Sequence, residues 1–241
     1  KFLMGVPRGI VKFAVNAGLN TLPTGVNLKR WGKRTSDLCK ICNGLGKQTL
    51  LHVLASCSVS LEQGRYTWRH DSVLKTIGDF IFPKLRPGFV LFSDLAGCGA
   101  GNGGTFPPDI IVTSQRPDLV LIDRARSEIM IFELTCPWDG NVDSQHAYKQ
   151  NKYAALVQDL SSNFKVDLYC FEVSAHGQVT KSNKARLKSF LLRSTGLKHT
   201  ACRDLINSVS KASLLSSFSI FCAREERVWN VHGHLAVNMK S

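Results

Sequence analysis

The residues best suited to chemistry begin with a pair of carboxylates. Asp118 follows Arg116-Pro117 and opens an apolar run, Leu119-Val120-Leu121-Ile122, while Glu133 lies near the end of a second run from Ile129 to Leu134. The segment between them, Asp123-Arg124-Ala125-Arg126-Ser127, is short enough for a hairpin connection. Two strands joined this way bring both acids to one edge of a sheet. Two hard oxygen ligands with open positions suit Mg²⁺ or Mn²⁺. An ion so held activates water and stabilises charge developing on a scissile phosphate. A basic group is also needed, and Lys149 and Lys152 lie on the helical segment that follows. Lys152 is the first candidate, because the helix is expected to point it back toward the strand end; Lys149 is the second. Arg69-His70-Asp71 offers a further group: His70 to orient the attacking water or a phosphate, and Asp71 to support it or the metal. Pro108-Asp109 competes with Pro117-Asp118 as the first acid.

A second constellation is Cys39-x2-Cys42-x9-His52-x4-Cys57, four ligands of the types zinc prefers. A tight Cys-x-x-Cys turn supplies two thiolates, and a helical turn between His52 and Cys57 can bring the other two ligands to one side. Gly44 and Gly46 let the intervening loop fold back. With all four positions filled the site reads as closed and structural, and so small a segment needs its metal to hold together.

Lys and Arg number 31 against 18 Asp and Glu, a formal charge of +13. An excess of this size points to a polyanion partner. Charge alone fits nucleic acid or an anionic membrane. No apolar run approaches the ~18 residues a spanning helix needs, which argues against the membrane. The cationic candidates for nucleic-acid contact are Lys29, Arg30, Lys33 and Arg34 before the cysteine cluster, and Arg65 and Arg69 after it. The cysteines outside the cluster are dispersed among mostly apolar residues, a pattern of buried thiols in a reducing compartment. The sequence opens on Lys1 rather than Met and is expected to be part of a longer chain.

The elements that must position these residues read as follows. Residues 1–36 form a helical linker, broken at Leu19-Asn20-Thr21-Leu22-Pro23-Thr24. Residues 37–58 form the knuckle. Residues 59–82 read as one helix, with Leu61, Trp68, Val73, Leu74 and Ile77 near helical spacing, ended by Pro83 and Pro87-Gly88. The glycine-rich stretch 93–108 reads as a loop. It lacks the Lys-Ser/Thr ending of a phosphate-binding loop. Strands are expected at 119–122, 129–134 and 165–173, and helices at 142–160, 182–193 and 198–221.

The order of these pieces resembles the C-terminal region of site-specific non-LTR retrotransposon polyproteins, in which a zinc knuckle precedes a restriction-like endonuclease. The stretch Leu19 to Thr24, then Asn27-Leu28 and Trp31, resembles the segment before that family's knuckle. Arg69-His70-Asp71 resembles its basic-His-Asp motif, and Pro117-Asp118-x14-Glu133 its Pro-Asp-spacer-acid signature. In the wider PD-(D/E)xK pattern a lysine stands two residues after the second acid; Thr135 occupies that position here, and the segment holding Lys149, Lys152 and Tyr153 resembles the one that carries a displaced lysine. The resemblance implies an α/β fold, a small mixed sheet flanked by helices, with the nuclease in residues 59–241. It implies nicking of genomic DNA in the host nucleus to expose a 3′-hydroxyl that primes reverse transcription. The partners would be target DNA, element RNA and the reverse transcriptase of the same polyprotein. The alternative is a nucleic-acid-binding module derived from such an element, with an inactive nuclease.

Overall fold

Residues 6–98, 106–197 and 199–230 are described by a computed structural model. The glycine-rich stretch expected to be a loop lies partly outside them, at 99–105.

The centre is a four-stranded sheet of β1 (Val90–Ser93), β2 (Leu119–Asp123), β3 (Glu128–Thr135) and β4 (Lys165–Glu172), in the order β1-β2-β3-β4. The first three strands run antiparallel, and β4 is parallel to β3. Antiparallel neighbours need only a short turn, which residues 124–127 provide. A parallel neighbour needs a crossover, and α5 (Val142–Leu160) supplies it. Every residue of β2 is buried because both faces of the sheet are covered, so the strand reads as an unbroken apolar run.

The two faces divide by residue parity. Leu119, Leu121, Met130, Phe132, Leu134 and Phe171 face α4 (Arg65–Ile81), α6 (Lys181–Thr195) and α7 (His199–Cys222). Val120, Ile122, Ile129 and Ile131 face Tyr153, Leu156 and Leu160 of α5. The molecule is thus mixed α/β, with helices on both sides of a mixed sheet.

Several elements depart from the sequence reading. The helix expected over 59–82 is two helices, α3 (Ser58–Glu62) and α4, parted at Gly64, whose φ of 70° favours glycine. Edge strand β1 went unforeseen: it is four residues long and adjoins the glycine-rich segment. The N-terminal region holds α1 (Arg8–Gly18) and α2 (Gly25–Arg30), but it does not hang free as a linker. Ile10 and Phe13 of α1 share a core with Leu50, Val53 and Leu54 beside the knuckle and with Leu214, Ile220 and Phe221 of α7. One helix, over Thr200–Cys222, is after all long and apolar enough to cross a membrane, with a mean hydropathy of 1.2. Its Ser213 and Ser217 hydroxyls donate to the Ser174 and Ala175 carbonyls, and its apolar residues join both cores just described.

Candidate carboxylate site and metal centre

The register of β2 on β3 pairs Leu119 with Phe132 and so sets Asp118 opposite Glu133. By parity both side chains lie on the α5 face. Each carboxylate accepts an amide from the other strand. Leu134 N donates to Asp118 Oδ2 at 2.6 Å, and Asp118 N donates to Glu133 Oε2 at 3.2 Å. Both residues are buried, Glu133 to within 2 % of full burial. Burial, followed by the neighbouring Asp118 charge, pushes the Glu133 carboxyl above its ordinary range, against the pull of Lys149.

Lys149 supplies the nearest ammonium. Its Nζ donates to Glu133 Oε1 at 2.5 Å. Burial works against the charged form, but the Glu133 carboxylate outweighs it and holds the lysine pKa above its ordinary value. Lys152 reaches the same strand end at one remove, through Tyr153. It is exposed, and its Nζ donates to Tyr153 Oη at 2.9 Å. Tyr153 is buried, and its hydroxyl donates to the Arg116 carbonyl at 3.1 Å. Helical phase sets which lysine touches the acid directly. Lys149 is four residues before Tyr153 and shares its face, whereas Lys152 is one residue away, about 100° round the helix.

His70 closes the site from α4. Its Nε2 is 3.3 Å from Asp118 Oδ2 and its Nδ1 is 3.1 Å from Asp71 Oδ1. Burial disfavours the imidazolium, but hydrogen bonds from both ring nitrogens to carboxylates overcome it and raise the pKa to about 11. Asp109 lies elsewhere: it is exposed and pairs at 2.5 Å with Arg124, in the turn at the far end of β2 from Asp118.

One residue of this sheet edge escaped the sequence reading. Glu172 ends β4 beside Thr135, on the α5 face by parity, and is buried. Its Oε1 is 2.9 Å from His146 Nδ1 of α5, and its Oε2 accepts from Arg186 Nη1 of α6 at 3.5 Å. An acid closing an apolar strand, with a histidine three residues before Lys149, was the available signal.

The three cysteines and the histidine expected to bind zinc converge. The donor atoms of Cys39, Cys42, His52 and Cys57 all lie within 4.8 Å of one another, with His52 Nε2 3.5 Å from Cys42 Sγ. Bonds of about 2.3 Å to sulfur and 2.0–2.1 Å to nitrogen around one tetrahedral ion demand separations of this order. The chain reaches this geometry through a π-helical turn over His52–Ser56. An α-helix would set His52 and Cys57 about 140° apart; a turn closed by i→i+5 bonds aligns them. Gly46 is needed for contact, since a Cβ there would lie 2.7 Å from His52 Cε1. The three thiols and one imidazole can therefore hold a metal ion such as zinc.

The expected nucleic-acid contacts divide. Arg65 and Arg69 are 0 % and 2 % exposed, so neither guanidinium can meet a phosphate. Arg65 donates to the Ala223 and Glu226 carbonyls, and Arg69 to the Leu54 and Cys136 carbonyls and to Ser217 Oγ. They fasten the fold. Arg34 is drawn inward to Glu225 at 3.0 Å and to the Leu38 carbonyl. Lys29 is exposed but paired with Asp37, while Arg30 and Lys33 are exposed with no acidic partner among the described residues. No protein-family model matches this chain, and no curated protein matches it.

Proposed function

We propose that this chain is a metal-dependent DNA endonuclease, with a restriction-like core over 59–241 and a zinc knuckle over 37–58, from a non-LTR retrotransposon polyprotein. One observation carries the reading: Asp118 and Glu133, buried and clamped to each other's strands, with the Lys149 ammonium on Glu133. Adjacent buried carboxylates are costly without cations, and an all-oxygen donor set fits a hard divalent ion.

Asp118 and Glu133 would hold Mg²⁺ or Mn²⁺. Such an ion, when bound, supplies Lewis-acid stabilisation of the phosphate and a more acidic water. The remaining work falls to the chain. Lys149 brings a fixed positive charge to the edge where phosphate oxygens gain charge. His70 braces Asp118, and Asp71 braces His70. Tyr153 ties α5 to the Arg116 carbonyl just before Asp118, and so fixes the helix that carries Lys149. The four knuckle ligands would hold a structural zinc. Target DNA, element RNA, the polymerase of the same polyprotein and a nuclear location belong to this reading through the family resemblance.

Nicking of supercoiled plasmid in Mg²⁺ tests it. Asp118→Ala and Glu133→Ala should abolish nicking while DNA binding survives. Lys149→Ala should lower the rate by roughly 10²–10³, the scale of losing one preorganised charge-stabilising donor, and Lys152→Ala by less than about tenfold. Parent protein that binds plasmid but never nicks it would favour the inactive binding module. An Asp118→Ala protein as fast as the parent would overturn the site.

A further inference from the structure

The +13 charge must find its counter-charge somewhere, and the segment before the knuckle holds less free charge than its sequence promises. Lys29 and Lys47 lie on Asp37, and Arg34 and Lys40 lie on Glu225. A further group of cations, without ion pairs among the described residues, lies on α6, beside α7.

Helix α6 carries Lys181, Lys184, Arg186, Lys188 and Arg193, and no acid in its 15 residues. Lys181, Lys184 and Lys188 recur at i, i+3 and i+7, within an arc of about 60°. Lys181 and Lys184 are exposed and Lys188 is half-buried. Among the described residues no ion pair engages any of the three, in contrast to Arg186 and Arg193 of the same helix. Lys184 and Lys188 line a cleft of ≈ 350 Å³ whose other wall is Cys202, Arg203, Ile206 and Asn207 of α7. Arg203 adds a third cation across the gap. The one acid on α7 is Asp204, which is exposed and 3.8 Å from the Arg203 guanidinium.

The position of this stripe relates it to the carboxylates. Arg186 lies between Lys184 and Lys188 in sequence and reaches round to Glu172 at the end of β4. Glu172 adjoins Thr135, two residues past Glu133. The N-terminal half of α6 therefore stands at the same end of the sheet as Asp118 and Glu133, on the face opposite α5, with the lysine stripe on the side of α6 turned from Arg186 toward α7.

We propose that the Lys181-Lys184-Lys188 stripe, with Arg203, is a docking surface for the phosphodiester backbone of duplex DNA flanking the cleaved position. Lysines on one helical face, unpaired and rising about 1.5 Å per residue, meet successive phosphates as point charges without reading bases. The choice of duplex DNA over other polyanions rests on the nuclease reading, since the stripe shares its helix with the anchor of that sheet edge.

The test measures affinity of the whole chain for a fluorescent 30-base-pair duplex in Ca²⁺, across a salt series, with nicking in Mg²⁺ assayed separately. The triple variant Lys181→Gln/Lys184→Gln/Lys188→Gln should make the slope of log affinity against log salt shallower by about 2–3, near 0.9 per lost phosphate contact. The triple Lys→Arg variant should keep the parent slope. Arg8→Gln/Lys12→Gln on α1 should change it by less than about 0.5, and thermal melts of all variants should coincide with the parent's. An unchanged slope in the triple Gln variant overturns the surface. So does an equal loss per charge on α1, which would mean diffuse attraction. A loss confined to single-stranded RNA of the same length, or to vesicles of anionic lipid, also overturns it. If Asp118→Ala nicks like the parent while the triple Gln variant still loses slope, the nuclease site fails and the surface stands.

Discussion

Replacing Arg69 by methionine keeps much of the side-chain volume and removes the charge and every donor. In a protein that merely used Arg69 to hold DNA, this would cost a phosphate contact and little stability. The structure assigns the reverse. Arg69 donates to the Leu54 carbonyl at 2.9 Å, the Cys136 carbonyl at 3.1 Å and Ser217 Oγ at 3.2 Å. The Leu54 carbonyl is buried and the Cys136 carbonyl partly so. Leaving a buried acceptor unmatched costs about 1–3 kcal/mol. Two such carbonyls, less the relief of no longer burying a guanidinium, give a loss of about 2–5 kcal/mol. For a chain of this length that corresponds to a fall in Tm of about 4–20 °C. Thermal melts measure the first effect, and DNA affinity across a salt series at low temperature measures the second. Arg69→Met should melt early and bind DNA with the parent's salt slope. A melt within about 1 °C of the parent, combined with a slope shallower by roughly 0.9, would refute the structural role and return Arg69 to the nucleic-acid interface.

Two further outcomes are expected. Purified protein should carry about one zinc per chain. Cys39→Ser/Cys42→Ser should lose it, and chelation should expose the amides of 37–58 to hydrogen exchange; full zinc content in that variant would rule out the site. Glu225 is held below the usual carboxylate range: burial pushes it up, but Gln48, Lys40 and Arg34 together pull it further down. A depressed folded-state pKa contributes stability that is present above the unfolded value of about 4.3 and lost as pH falls through the folded one. Glu225→Gln should therefore destabilise the protein at pH 6 and converge with the parent as pH falls through the folded-state value. A stability difference that grows on acidification would contradict the ion-pair role.

Much of the site was legible because its determinants are local. The apolar runs of β2 and β3 and the hairpin-length spacer set the register, and register alone places Asp118 opposite Glu133. The knuckle spacing announced its ligands, though not the π-helical turn that aligns His52 with Cys57. What escaped depends on phase and on partners distant in sequence. Lys149 is in phase with Tyr153, Leu156 and Leu160, the buried stripe of α5, so its direct contact with Glu133 was within reach of a helical wheel. Arg65 and Arg69 fall in step with Val73, Ile77 and Ile81, every fourth residue along α4, and this stripe marked them as inward-facing. Their charge argued for the surface. It could not reveal that the Ala223, Glu226 and Cys136 carbonyls wait far along the chain. The pairing of Arg34 with Glu225 was hidden for the same reason.

These partners together give α4 a role that no single motif discloses. Its first turn reaches the candidate metal cluster: the Tyr66 hydroxyl accepts from Cys57 N at 3.1 Å and lies within 3.2 Å of the His52 carbonyl. One turn later Arg69 joins the Leu54 carbonyl, inside the π-helical turn, to the Cys136 carbonyl just past β3. The next residue, His70, holds Asp118. The helix thus spans from the candidate metal cluster to a carboxylate in four residue steps, roughly 6 Å of rise. Helices transmit displacement with little loss over such lengths, and the groups at both ends are buried, where packed structure yields least. The hydrogen bonds of α4 therefore run from the Cys39-Cys42-His52-Cys57 cluster to Asp118 without a break at residue 58.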